Sequence, residues 1–262
     1  MKNIQVLNAV SKGCRFLKTD QTAFFSCLLL LTAAVHLIAF TWMPVLERDS
    51  VAYVTTAAHW AETGEYLLTF FPPLPCFFIK VLIQAGFSAE LAGKTVSFLA
   101  GLPVPLIAYL ITMKAVGNRR TARYTAFMLV FHPMLIYFSV LPLRDSVYIL
   151  FVSLLLLAAI DAVKKQSMKA WLLCALWTAA SWACRYETLE FFLVLPLVTA
   201  LRVWQKSYPW KKALLHLFVY GVCSAVLWVG ITLAVGGKQV FVSQYNVYVK
   251  KKFVQLGKRW KI

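Results

Sequence analysis

Long apolar runs separated by short charged turns dominate the chain. A helix needs about 20 apolar residues to cross a bilayer core. Runs near that length predict spans at 22–45, 91–116, 121–140, 147–163, 170–183, 189–203 and 213–235. The fold class that follows is an all-α polytopic membrane protein of about seven transmembrane helices. The polar interval 46–90 separates the first span from the second. Within it Asp49, Tyr53, Ala57 and Trp60 recur at helical spacing, which predicts a short helix lying along the interface. Phe70-Phe71-Pro72-Pro73-Leu74-Pro75 then breaks regular helix, because proline lacks the amide donor and restricts the residue before it. The remainder, 76–87, is too short to span and is predicted as a second interfacial, juxtamembrane helix. The chain divides into an N-terminal segment 1–21, a transmembrane domain 22–237 with first outer loop 46–90, and a basic tail 238–262.

Composition strengthens the membrane assignment. Hydrophobic residues make up 61% of the chain and the mean hydropathy is +0.71, whereas soluble domains sit near about 45–50% apolar. A net charge of +17 would suggest nucleic acid in a soluble protein. Here the cations gather in short turns between apolar runs, so they set orientation instead, and no nucleic-acid partner is expected. A cytoplasmic N-terminus places Lys2, Lys12, Arg15, Lys18, Lys114, Arg119, Arg120, Arg123, Lys164, Lys165, Lys169, Arg202, Lys206, Lys211 and Lys212 inside. Every acid except Asp20 and Asp161 then falls outside. Acids count for little in orientation, so their gathering on one face points to chemistry.

The tail is the exception: Lys238, Lys250, Lys251, Lys252, Lys258, Arg259 and Lys261 fall outside. It is read as lying on anionic headgroups, or as the start of a segment that this short chain does not continue. Cys14, Cys27, Cys76, Cys174, Cys184 and Cys223 have neither zinc nor disulfide spacing and read as small buried hydrophobes. The first apolar run is too long for the core of a cleavable signal.

Four groups of residues stand in a fixed order relative to the spans. Arg48-Asp49-Ser50-Val51-Ala52-Tyr53, with Ala58, Trp60 and Gly64-Glu65-Tyr66, follows the first span. Phe71-Pro72-Pro73-Leu74 comes next, then Leu143-Arg144-Asp145, then more weakly Arg185-Tyr186-Glu187. In that order the chain resembles the GT-C superfamily of membrane glycosyltransferases, in particular the branch of dolichyl-phosphate-mannose protein mannosyltransferases and aminoarabinose transferases. The likeness covers about residues 22–200. It departs in two places: members are usually longer, often with a C-terminal soluble domain, and Phe70-Phe71 stands where a basic residue or His is common. The resemblance implies sugar transfer, with inversion, from a polyprenyl-phosphate donor to a glycan, lipid or protein acceptor at the outer face. It also implies a bacterial inner membrane by default, with the ER as alternative. A divalent metal stays open, with no ligands assigned.

Such chemistry needs a base for a poorly nucleophilic hydroxyl and cations for a phosphate leaving group. Asp49 is the first candidate base; its plainer role is a solvated loop acid or a cap for the helix that follows. Glu47 reads as a surface acid. Asp145 is the second catalytic candidate, holding a metal or the acceptor, and is alternatively the N-cap of the fourth span. Arg48, Arg144 and Arg185 are candidate phosphate ligands because a guanidinium grips phosphate in a bidentate fork; the alternative is interfacial snorkelling. Snorkelling is the reading for Lys80 and Lys94. Glu187 is a candidate binding residue or simply the partner of Arg185. Tyr53 and Trp60 stack on sugar, line a lipid groove, or form an ordinary aromatic belt. His59 is not read as a ligand, and His132-Pro133 reads as a packed kink. A transporter or flippase would place ionisable groups along its spans, where only His36, His132 and His216 stand. The short length supports a non-catalytic subunit or truncated homologue as a third reading.

Overall fold

The computed structural model describes residues 2–42, 46–67 and 71–244; most of the basic tail lies outside them. Every regular element among the described residues is helical: α1 (Lys2–Trp42), α2 (Arg48–Thr63), α3 (Leu74–Gln84), α4 (Ala89–Gly101), α5 (Val104–Val116), α6 (Arg119–Val130), α7 (Pro133–Val140), α8 (Arg144–Lys165), α9 (Met168–Trp182), a 3-10 turn (Tyr186–Glu190), α10 (Phe191–Trp204) and α11 (Trp210–Gln244). Four stretches are long and apolar enough to cross a membrane: Gln21–Trp42, Ala89–Val116, Arg144–Lys165 and Trp210–Lys238. The chain is a multi-pass integral membrane protein. The other expected spans coincide with α6 and α7 together, with α9 and with α10. At about 1.5 Å per residue, the 15 residues of α9 reach less far than the bilayer core.

Proline and glycine set the breaks. Pro103 precedes α5, dividing Ala89–Val116 into two helices. His132-Pro133 separates α6 from α7, with the proline in the first turn of α7, where its missing amide costs nothing. Gly64 ends α2 at φ 79°, a conformation that a side chain would strain. Asn118 starts α6 by accepting from the amides of Arg120 and Thr121.

Two cores matter for the site. α8, α9 and α11 pack around Leu155, Ala162, Trp171, Cys174, Ala175 and Tyr220. Alanines on α8 and α9 let the backbones approach closely, and the Trp171 indole donates to the Tyr208 hydroxyl at 3.1 Å. The second core joins Tyr53, Ala57 and Trp60 of α2 to Cys76 and Ile79 of α3, Ala92 of α4 and Leu141 and Leu143. The helical stripe read from sequence is therefore real, but it faces protein. Tyr53 and Trp60 are only 5% and 4% exposed, which corrects their reading as belt aromatics. Lys80 lies over the Trp60 ring at 4.5 Å, and buried Lys94 pairs with Glu90 at 2.6 Å. Each therefore has a protein partner beyond simple snorkelling.

Gly93 is where α4 meets this layer. A Cβ there would stand 2.6 Å from Pro142 Cβ and 3.0 Å from a Val54 methyl. Gly93→Ala is expected to destabilise the protein by about 1–3 kcal/mol, the usual range for overpacking, seen as a lower unfolding midpoint in detergent. An unchanged midpoint would mean that the loop before α8 gives way freely.

Candidate active site

Four segments far apart in sequence meet at one end of the bundle: the start of α2, the turn into α3, the loop into α8, and residues 183–190. Leu74 at the head of α3 donates its amide to the Ala183 carbonyl at 3.3 Å. The Cys76 thiol donates to the Tyr53 carbonyl at 3.8 Å, which holds α3 against α2. The Arg144 guanidinium lies 5.3 Å from the Phe71 ring centre, and that ring is 5.8 Å from Tyr53. Arg185 reaches across to α8 and forms an ion pair with Asp145.

These contacts sort the two central arginines. Arg185 is bracketed: one nitrogen meets Asp145, another meets Glu187 at 2.9 Å, and its guanidinium lies 5.4 Å from the Tyr148 ring. Two carboxylates balance its charge. Arg144 pairs with no carboxylate among the described residues. It also occupies the first position of α8, where the helix dipole disfavours a cation and favours an anion. Arg144 is thus the cluster's central arginine without a direct carboxylate pair among the described residues, and its charge reaches Glu187 only from a distance.

The carboxylates differ too. Asp145 is not the N-cap expected from sequence; Leu143 occupies that position, without a side-chain cap, and Asp145 is engaged by Arg185 instead. Asp49 does not cap α2 either. Glu47 takes the N-cap position and Asp49 lies exposed in the first turn, one turn before Tyr53. Burial pushes the Tyr53 phenol well above its ordinary range; Arg144 opposes the shift, and Asp145 and Asp49 add to it. The phenol therefore stays neutral, and these three charged groups are the ones it feels. Glu47 is more than a surface acid, since it lies near the Tyr137 hydroxyl of α7. Arg48 is exposed at the first position of α2, and no described contact ties it to the cluster. Phe71, Tyr137 and Tyr148 were not expected as site residues, because their roles rest on contacts between separate loops.

The hydrogen bond from Arg185 holds the Glu187 carboxyl below its ordinary value of 4.5. A carboxyl depressed in the folded state stabilises it above the unfolded value and ceases to do so as pH falls through the folded one. The Glu187–Arg185 tie is therefore expected to hold at neutral pH and to loosen only as pH falls below the ordinary glutamate range. Protection of the 183–190 amides, relative to their intrinsic exchange rates at each pH, should fall there. Unchanged protection down to about pH 3 would mean that the tie does not hold the turn.

Among the described residues, no three His, Cys, Asp or Glu side chains are grouped to hold a metal ion. A family model described as dolichyl-phosphate-mannose-protein mannosyltransferase matches residues 71–229. The chain belongs to that family. A comparison with curated proteins finds no match. Membership in the dolichyl-phosphate-mannose-protein mannosyltransferase family makes the protein a membrane glycosyltransferase at the family level, with a lipid-linked sugar as donor and an acceptor in or at the membrane. It bears out the GT-C resemblance and favours it over a transporter. The matched segment contains Phe71, Arg144, Asp145, Arg185 and Glu187 and begins after α2, so Arg48, Asp49 and Tyr53 rest on geometry alone.

Proposed function

We propose that the chain transfers a sugar from a polyprenyl-phosphate donor to an acceptor hydroxyl at the outer membrane face, inverting the anomeric centre, with Asp49 as general base. One observation carries the reading: Arg144, with no carboxylate pair among the described residues, packs on the Phe71 ring, which meets Tyr53 one turn after the exposed carboxylate of Asp49. The acceptor oxygen attacks the anomeric carbon and gives its proton to Asp49 as the new C–O bond forms. The bond from that carbon to the phosphate oxygen breaks, and the phosphate leaves with the electron pair. Arg144 and the amides at the start of α8 receive the developing charge. Exposure of Asp49 leaves it open to an acceptor arriving from outside. Asp145, oriented by Arg185, lies beside this path and holds the acceptor. Asp49 and Asp145 alone do not make a metal site; a divalent ion would take its further ligands from the donor phosphate. The outer face is the end that bears Asp49, Asp145 and Glu187, opposite Lys164, Lys165 and Lys169, in a bacterial inner membrane with the N-terminus in the cytoplasm.

The test is sugar transfer in membranes containing the full chain, offered a panel of polyprenyl-phosphate sugars. One donor should label an acceptor. Arg144→Gln should raise the KM for that donor about 10- to 100-fold, the loss of a charged hydrogen bond. If no donor is used although acceptor is present, a non-catalytic subunit becomes the better reading.

A further inference from the structure

We propose that Phe71 is a positioning residue for the donor site: its ring holds the Arg144 guanidinium in place while leaving the guanidinium's charge and donors available to a phosphate. The inference rests on the reading of Arg144 given above. Three observations support it independently of any ligand.

The first is how Arg144 is held. A cation at the start of a helix faces the helix's own positive end, and such a side chain normally finds a carboxylate or swings to solvent. Arg144 does neither: it is half-buried, unpaired among the described residues, and packed 5.3 Å from the Phe71 ring centre. The negative face of the ring attracts the cation without neutralising it. A carboxylate in the place of Phe71 would cancel the charge that an incoming phosphate needs, and a lysine would repel Arg144.

The second is how Phe71 is held. Its carbonyl accepts from the Tyr66 hydroxyl at 3.5 Å, and its ring packs at 5.8 Å on Tyr53, itself buried. The next two residues, Pro72 and Pro73, are buried and conformationally fixed, and Leu74 is bonded to the Ala183 carbonyl. A ring mounted this way does not move with the lipid around it.

The third is the contrast with Arg185, whose guanidinium also lies near an aromatic ring, Tyr148, but is bound by two carboxylates. The same side-chain type is quenched in one place and kept open in the other, and the difference is what faces it. Binding groups work best when fixed beforehand, since ordering them on contact costs affinity.

The proposal is tested by measuring the Kd of the purified full chain in detergent for a polyprenyl monophosphate, using intrinsic tryptophan fluorescence. Wild type, Phe71→Leu, Phe71→Tyr, Arg144→Gln and the double variant Phe71→Leu/Arg144→Gln are compared, each with its unfolding midpoint. Phe71→Leu should weaken binding about fivefold, the scale of a partly desolvated cation–π contact. Phe71→Tyr should stay within about twofold of wild type. In the Arg144→Gln background Phe71→Leu should add nothing, because there is no cation left to position. In the transfer assay the Phe71→Leu defect should appear in the donor KM with kcat retained. The proposal is overturned if Phe71→Leu binds like wild type, or if it weakens binding as much without Arg144 as with it. A loss in Phe71→Leu that follows a fallen unfolding midpoint, unrescued by Phe71→Tyr, also overturns it. If Arg144→Gln itself leaves the Kd unchanged, the phosphate assignment fails first, and that result is distinct from the others.

Discussion

Asp49→Asn is expected to lower sugar transfer at least a hundredfold while leaving donor affinity nearly unchanged. A positioned general base contributes about 10²- to 10⁴-fold, and an amide of the same shape cannot take the proton. The substitution is gentle otherwise. Asp49 is exposed in the first turn of α2, on the face of Tyr53, Ala57 and Trp60 but before that stripe enters the core. It forfeits at most a favourable interaction with the start of α2, about 0.3–1 kcal/mol, against a typical stability of about 5–15 kcal/mol. A large drop in kcat with an intact unfolding midpoint is therefore the signature of lost chemistry. Transfer at the wild-type rate would remove Asp49 from the mechanism and make Asp145 the next base to test.

Replacing Arg185 should act in the opposite way, through structure first. Arg185→Leu leaves Asp145 and Glu187 without their partner and releases the tie between the 3-10 turn and α8. Breaking a fully buried pair costs about 3–5 kcal/mol. These side chains are 26%, 19% and 48% exposed for Arg185, Asp145 and Glu187, so solvent screening reduces the expectation to about 1–3 kcal/mol. Arg185→Lys should recover less than half, because an ammonium cannot fork between two carboxylates. Unfolding in detergent decides the matter. Lost donor binding at an unchanged midpoint would make Arg185 a direct ligand of the phosphate instead of a brace.

The elements of this protein were legible because membrane helices announce themselves as apolar runs, and because Pro133, Gly64 and the Pro72-Pro73 pair act through the backbone wherever they occur. The start of α3 was placed two residues late. Pro75 was taken as a breaker, yet it sits in the first turn of Leu74–Gln84, where no amide donor is needed. The helical period of α2 predicts the stripe of Tyr53, Ala57 and Trp60 but not its packing on α3 and α4, since periodicity gives a face but not its neighbour. Within the site, Arg185 and Glu187 are two residues apart and their pairing could be anticipated. The bond from Arg185 to Asp145 spans 40 positions, and the Phe71–Arg144 contact joins loops on either side of α3 through α7. No local pattern encodes such meetings. They follow from the packing of α3, α4, α8 and α9, which is why a phenylalanine that looked like a missing cation proves to be the seat of one.

The bond between the Leu74 amide and the Ala183 carbonyl also sets a schedule. The partner that completes the head of α3 is made roughly a hundred residues later, or about 5–20 s at ordinary rates of synthesis. Throughout that interval α2 and α3 wait at the membrane with the Leu74 amide lacking its acceptor and Arg144, once made, lacking the brace beside it. The bundle is therefore finished from its spans toward its rim. A ribosome stalled before α9 would leave a half-inserted protein whose end near Asp49 has not closed.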